Sequence, residues 1–106
     1  MRTLRTAAIF RTINAPTSRL RTIARELVWW QASAVTLSNQ IDFLCHVMAR
    51  GSWNDINDIE RWYGEAALRE ALRNAKPGVI DIASWHYWHH RLGFDSVPEM
   101  PLRVFK

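Results

Sequence analysis

The stretch IDFLCHVMARGSWNDINDIERWYGEAALREALRNA, Ile41 to Ala75, decides the fold. Ile41, Leu44, Cys45 and Met48 fall at i, i+3, i+4 and i+7, the spacing of one buried helical face. Gly51 after Arg50 offers a left-handed stop and a cation beside the carbonyl end of that helix. Ser52 with Asp55 three positions on reads as a capping box, with Asp in place of the usual Glu. The helix it opens places Trp53, Ile56, Ile59 and Tyr63 on one face and stops at Gly64. Its other face, Asn54, Asp55, Asn57, Asp58 and Arg61, has the composition of a solvated surface. From Glu65 the stripe Leu68, Ala71, Leu72 and Ala75 predicts a third helix, with Glu65 and Arg69 as an i, i+4 ion pair.

Outward from this block the same logic extends in both directions. Pro77-Gly78 ends the third helix, and Asp81 is the N-cap of a last one containing Trp85, Trp88 and Leu92, with Gly93 as its stop. Upstream, Ile23, Ala24, Leu27 and Val28 predict a short helix from about Arg21 to Trp30. The polar run from Gln31 to Asn39 reads as a loop that ends in an N-cap. After Phe94, Pro98 and Pro101 forbid a helix, while Val97, Met100, Leu102, Val104 and Phe105 are too apolar for a solvated tail. The expected architecture is all-α: four to five short helices, with an extended, Pro-containing tail packing on the domain or on a partner. It divides into a basic, loosely ordered segment 1–21, a helical domain 22–94 and the tail 95–106.

Composition narrows the function classes. At 106 residues the chain is one domain, and its single cysteine excludes an internal disulfide or a thiolate zinc cluster, which points to the cytoplasm. No window approaches the 18 to 20 apolar residues, roughly, that a membrane span requires. The formal charge of +4 is uneven. Arg2, Arg5, Arg11, Arg19, Arg21 and Arg25 precede every acidic residue, whereas Glu26 to Lys106 holds eight basic and ten acidic residues. The acid-free N-terminus suits a simple tail, a transit segment or a basic arm. As an arm, Arg2, Arg5, Arg11, Arg19 and Arg21 would carry nucleic-acid binding, the alternative function.

Catalytic and metal readings are weak. His86, His89 and His90 stand at i, i+3 and i+4, but H-x-x-H-H lacks the Glu of a zincin and no carboxylate follows on the same helix. Cys45 lies within an apolar stripe, where a thiolate is disfavoured. No glycine-rich phosphate loop occurs. The expected site therefore contains no catalytic residue, metal or cofactor. Six tryptophans are the remaining signal, since a domain this small encloses only two or three indoles. Trp53 and Trp62, nine positions apart, point about 180° apart on one helix, and the adjacent Trp29 and Trp30 also diverge. Some of these rings must lie at an interface, where tryptophan is a favoured anchor.

The segments Leu27-Val28-Trp29-Trp30, His46 to Gly51, Ile59 to Leu72 and Ser84 to Gly93 resemble a group of small helical bacterial proteins. The likeness runs from about Leu27 to Phe105. Members of that group resemble antitoxins encoded beside nucleotidyltransferase-like toxins of the AbiEii kind. The resemblance implies a cytosolic, non-enzymatic protein that neutralises such a toxin, the product of an adjacent gene, by direct binding. The expected partner contacts are Trp85, Trp88, His89 and Phe105, with Trp29 and Trp30 second.

Overall fold

The computed structural model describes residues 17–101. Six helices and no strand occur among them: α1 Thr17–Leu27, α2 Ser33–Ser38, α3 Gln40–Arg50, α4 Trp53–Tyr63, α5 Glu65–Arg73 and α6 Ile82–Arg91. No described helix is long and apolar enough to cross a membrane. The all-α class is as expected, with one helix more than the sequence pattern implies.

The additional helix is α2, inside the run read as a loop. Its hydroxyl and amide side chains bond locally instead of opening the turn. The Ala32 carbonyl accepts from the Val35 and Thr36 amides, Ser38 Oγ donates to the Val35 carbonyl at 2.6 Å, and Gln31 Nε2 donates to the buried Thr36 hydroxyl at 2.9 Å. Asn39 then closes α2 and caps α3, its side-chain oxygen accepting from the Asp42 amide. Helix α1, Thr17–Leu27, takes in Arg19 and Arg21, which the sequence pattern places in the N-terminal segment.

Helix α3 is the axis of the fold and touches each of the other five. Phe43, Leu44, Cys45, Val47 and Met48 are all buried, a wider arc than the single stripe read from the sequence, because neighbours surround the helix. Ile23 and Ala24 of α1, Ile59 and Trp62 of α4, Leu68 and Leu72 of α5, and Trp88 of α6 close over it. Val97 and Met100 of the C-terminal stretch pack against the same core.

Two local expectations change. Gly51 has φ −66° and ψ 149°, so it is not left-handed; a Cβ there would stand 2.6 Å from the Val47 carbonyl oxygen, and close approach is what requires glycine. Asp55, read as solvated, is buried. It completes the capping box with Ser52 through Oδ2, while its Oδ1 accepts from the Arg19 guanidinium of α1 at 2.7 Å. One carboxylate thus caps α4 and ties it to α1.

Asp55→Ala removes both jobs, and we expect it to lower unfolding free energy by about 2 kcal/mol, against about 1 kcal/mol or less for Arg19→Ala. Thermal melts of the two variants check this order; equal losses would mean that the cap contributes nothing.

Candidate protein-docking face

The exposed large apolar side chains of the described surface are concentrated, with Val35 of α2 the exception. Trp29, Trp30, Trp53, Ile82 and Tyr87 surround one seam, where the C-terminal end of α3 meets the first turn of α6. A cleft of about 580 Å³ lies on one side of the seam. Trp30, His46, Ala49 and Arg50 form one wall and Gly78 to Asp81 the other. A second, of about 360 Å³, lies on the other side, with Met48, Gly51, Trp53 and Ile56 facing Ala83, Ser84, Tyr87 and Trp88. Ile82, the first residue of α6, stands between them.

The first side is built by the end of α1. The Val28 amide donates to the Ala24 carbonyl and the Val28 side chain is buried, so the next two residues turn away from the core. Trp29 is left 76% exposed, its ring edge-on to Trp30 at 5.8 Å. Arg50 holds the corner together. Its guanidinium donates to the Leu27 carbonyl at 2.8 Å and to His46 Nδ1 at 2.9 Å, and it lies 5.2 Å from the Trp30 ring centroid. Because arginine only donates, Nδ1 must accept, and His46 is neutral with its proton on Nε2. Burial, then the Arg50 charge, lowers the His46 pKa; Asp42 opposes both.

The second side is built by α4 and α6. As the first residue of α4, Trp53 overhangs the helix end and is 63% exposed, whereas the sequence pattern placed it on the buried face. The opposed Trp62 is the buried one, as the nine-residue offset requires. Trp53 meets Tyr87 edge-on at 6.1 Å, and Arg91 lies 4.9 Å from the Trp88 ring while pairing with Glu60.

The expected contact residues on α6 are in the core. Trp88 is 1% exposed and its indole donates to the Met48 carbonyl at 2.8 Å; the Trp85 indole donates to the Pro98 carbonyl at 2.8 Å. His89 is equally enclosed, its Nδ1 2.7 Å from the Trp85 carbonyl and its ring between Trp85 and Phe94. An amphipathic helix turns its bulkiest stripe inward, and both indole N–H groups and His89 Nδ1 meet a backbone carbonyl there. Trp29 and Trp30, the second choice, are the ones at the surface. Phe105, Arg2, Arg5 and Arg11 lie outside the described residues.

Arg19 is held by Asp55 and Asp58, which removes it from the nucleic-acid set, while Arg21 is exposed. His86 and His90 are exposed and His89 is buried, so the three do not converge; no group of three His, Cys, Asp or Glu among the described residues is placed to hold a metal. Cys45 Sγ donates to the Ala71 carbonyl at 3.4 Å, and burial with the nearby Asp42 pushes the thiol up to about 12. It stays protonated at neutral pH and is no nucleophile. Sequence reasoning missed Trp53, Tyr87, Ile82, Arg50 and His46 as surface groups. The Trp53–Trp62 offset was the available signal, for it demanded that one of the two face out.

Comparison with known protein families, with curated proteins and with solved structures returns no match to this chain.

The depressed His46 pKa ties the corner to pH. Above the unfolded-state value of about 6.5 both states are neutral; below it the unfolded chain takes up a proton that the folded one resists. Stability is therefore full at pH 7.5 and declines as pH falls through that value. Denaturant titrations at pH 7.5 and 5.5 should show a smaller acid-induced loss in His46→Gln than in the parent; equal losses would remove His46 from the account.

Proposed function

We propose that the chain is a protein-binding module that docks its partner on the face formed by Trp29, Trp30, Trp53, Ile82 and Tyr87. One observation carries this reading: the exposed aromatic residues gather around a single seam instead of dispersing. Monomeric surfaces rarely leave a large apolar patch uncovered, and patches rimmed by polar groups mark interaction sites. The composition supports the same conclusion, because Trp, Tyr and Arg dominate binding energy at interfaces. Arg50 lies over Trp30, and Arg91 over Trp53 and Tyr87, which holds the surface in shape before binding and reduces the ordering cost.

The finer reading rests on the sequence resemblance. As an antitoxin-like protein, the chain binds a nucleotidyltransferase-like toxin encoded by an adjacent gene. Binding neutralises the toxin by covering its substrate cleft or by holding it in an unproductive shape. No side chain of the face has to do chemistry for this.

Co-expression with the product of the adjacent gene tests the proposal. A stable complex and relief of growth arrest are expected. Trp30→Ala and Trp53→Ala should each weaken the complex by about 2 kcal/mol, roughly thirtyfold in Kd, without unfolding the chain. Trp85→Ala should instead cost about 3 to 5 kcal/mol of fold stability, since its ring is core. A chain that elutes alone and leaves toxicity unchanged would sink the antitoxin reading.

A further inference from the structure

The docking face is electrostatically lopsided, and this identifies the chemistry of what it binds. Among the described residues, Arg19, Arg61, Arg69, Arg73, Lys76 and Arg91 each have a carboxylate within 4.0 Å. Arg21, Arg25 and Arg50 have none among the described residues. Arg50 lines the Trp30 cleft, and Arg21 and Arg25 lie on α1, the helix that runs into Trp29 and Trp30. Arg21 and Arg25 are one turn apart on the exposed side of α1, Arg25 in its last turn, and Arg50 touches the end of that helix and stacks on Trp30. The Trp53–Tyr87 side differs: Arg91, the cation that meets its rings among the described residues, is neutralised by Glu60.

Resting on the protein-binding reading, we infer that the Trp29–Trp30 corner receives an acidic segment of the partner. Its carboxylates meet Arg21, Arg25 and Arg50, and an apolar side chain beside them enters the 580 Å³ cleft between Trp30 and Val79–Ile80. The volume lies within the range of about 300 to 1,000 Å³ typical of small-ligand sites and accommodates a large side chain. Three carboxylates border the corner, and Asp42, near enough to act on His46, pairs with Lys76. Asp81 is engaged as the α6 N-cap, accepting from the Ser84 amide, and Glu26 follows Arg25 about 100° further around α1. The segment that continues across the seam to Trp53 and Tyr87 is apolar and uncharged, so the partner docks in one direction. A single-stranded nucleic acid fits less well. The described residues hold nine basic and ten acidic side chains, a balance that does not favour the extended positive track such ligands follow.

The probe is a random displayed library of peptides of roughly 12 residues, a length that spans such a face in extended form. It is selected on the full-length protein and counter-selected on a Trp30→Ala/Trp53→Ala variant. Enriched peptides should carry Asp or Glu next to a Leu, Phe or Trp. In anisotropy titrations of a labelled enriched peptide, Arg21→Ala/Arg25→Ala should weaken binding about fivefold and reduce its salt dependence. Those two arginines make no ion pair among the described residues, so the variant keeps the test independent of the packing described above; Arg50→Ala should weaken binding about tenfold, because it also loses the brace on Trp30. Enriched peptides without an acidic excess, or unchanged affinity in the Arg21→Ala/Arg25→Ala variant, would overturn the acidic segment and leave the protein-docking reading standing. Tighter binding of an oligothymidylate of similar length overturns it in favour of nucleic acid. No enrichment over the counter-selected variant overturns the docking reading itself.

Discussion

The rest of the structure depends on one buried hydrogen bond, from the Trp88 indole to the Met48 carbonyl. A helix leaves its last carbonyls without internal donors, and Met48 lies in the last turn of α3. An indole removed from water needs an acceptor for its N–H. Each group would be costly alone, by roughly 1 to 3 kcal/mol; together they satisfy one another and fasten α6 across the end of the central helix. That crossing creates the seam, and both clefts are its flanks.

The same device recurs at other helix ends. Arg50 serves the Leu27 carbonyl at the end of α1, Arg69 serves the Leu92 carbonyl after α6, and the Cys45 thiol donates to the Ala71 carbonyl of α5. Short helices have a high ratio of ends to middle, so a small domain built from them must find many donors for terminal carbonyls. Long side chains from neighbouring helices supply them, and in doing so they become tertiary fasteners. Arg50 shows how stability and function share a residue here. The guanidinium that closes α1 also braces Trp30 and presents positive charge at the cleft mouth.

Tryptophan therefore has two separate roles. Trp62, Trp85 and Trp88 fill the core, and the two on α6 use their N–H groups to bind it to distant backbone. Trp29, Trp30 and Trp53 stand outside, held by edge contacts and stacked arginines instead of by enclosure. Residue type does not separate the two groups. What separates them is position: the exposed rings follow or begin a helix, where the chain leaves the packed layer, and the buried ones lie on its inner stripe.

Local chemistry was legible in the chain itself. The all-α class, the Ser52–Asp55 box, the Asn39 and Asp81 caps and the stops near Gly51, Gly64 and Gly93 all follow from contacts within a few residues, where spacing dictates geometry. Helix α2 escaped because its Ser and Thr side chains can serve a loop or a helical turn equally well, and only the burial of Thr36 decided between them. The rank of α3 as central axis, the burial of Asp55 and the inward turn of Trp85, Trp88 and His89 escaped for a different reason. Periodicity identifies that a face is apolar, but not which apolar face is covered and which is left open. That choice is made by contacts such as Arg19 with Asp55 and Trp88 with Met48, 36 and 40 positions apart, and no local pattern encodes a partner at that distance.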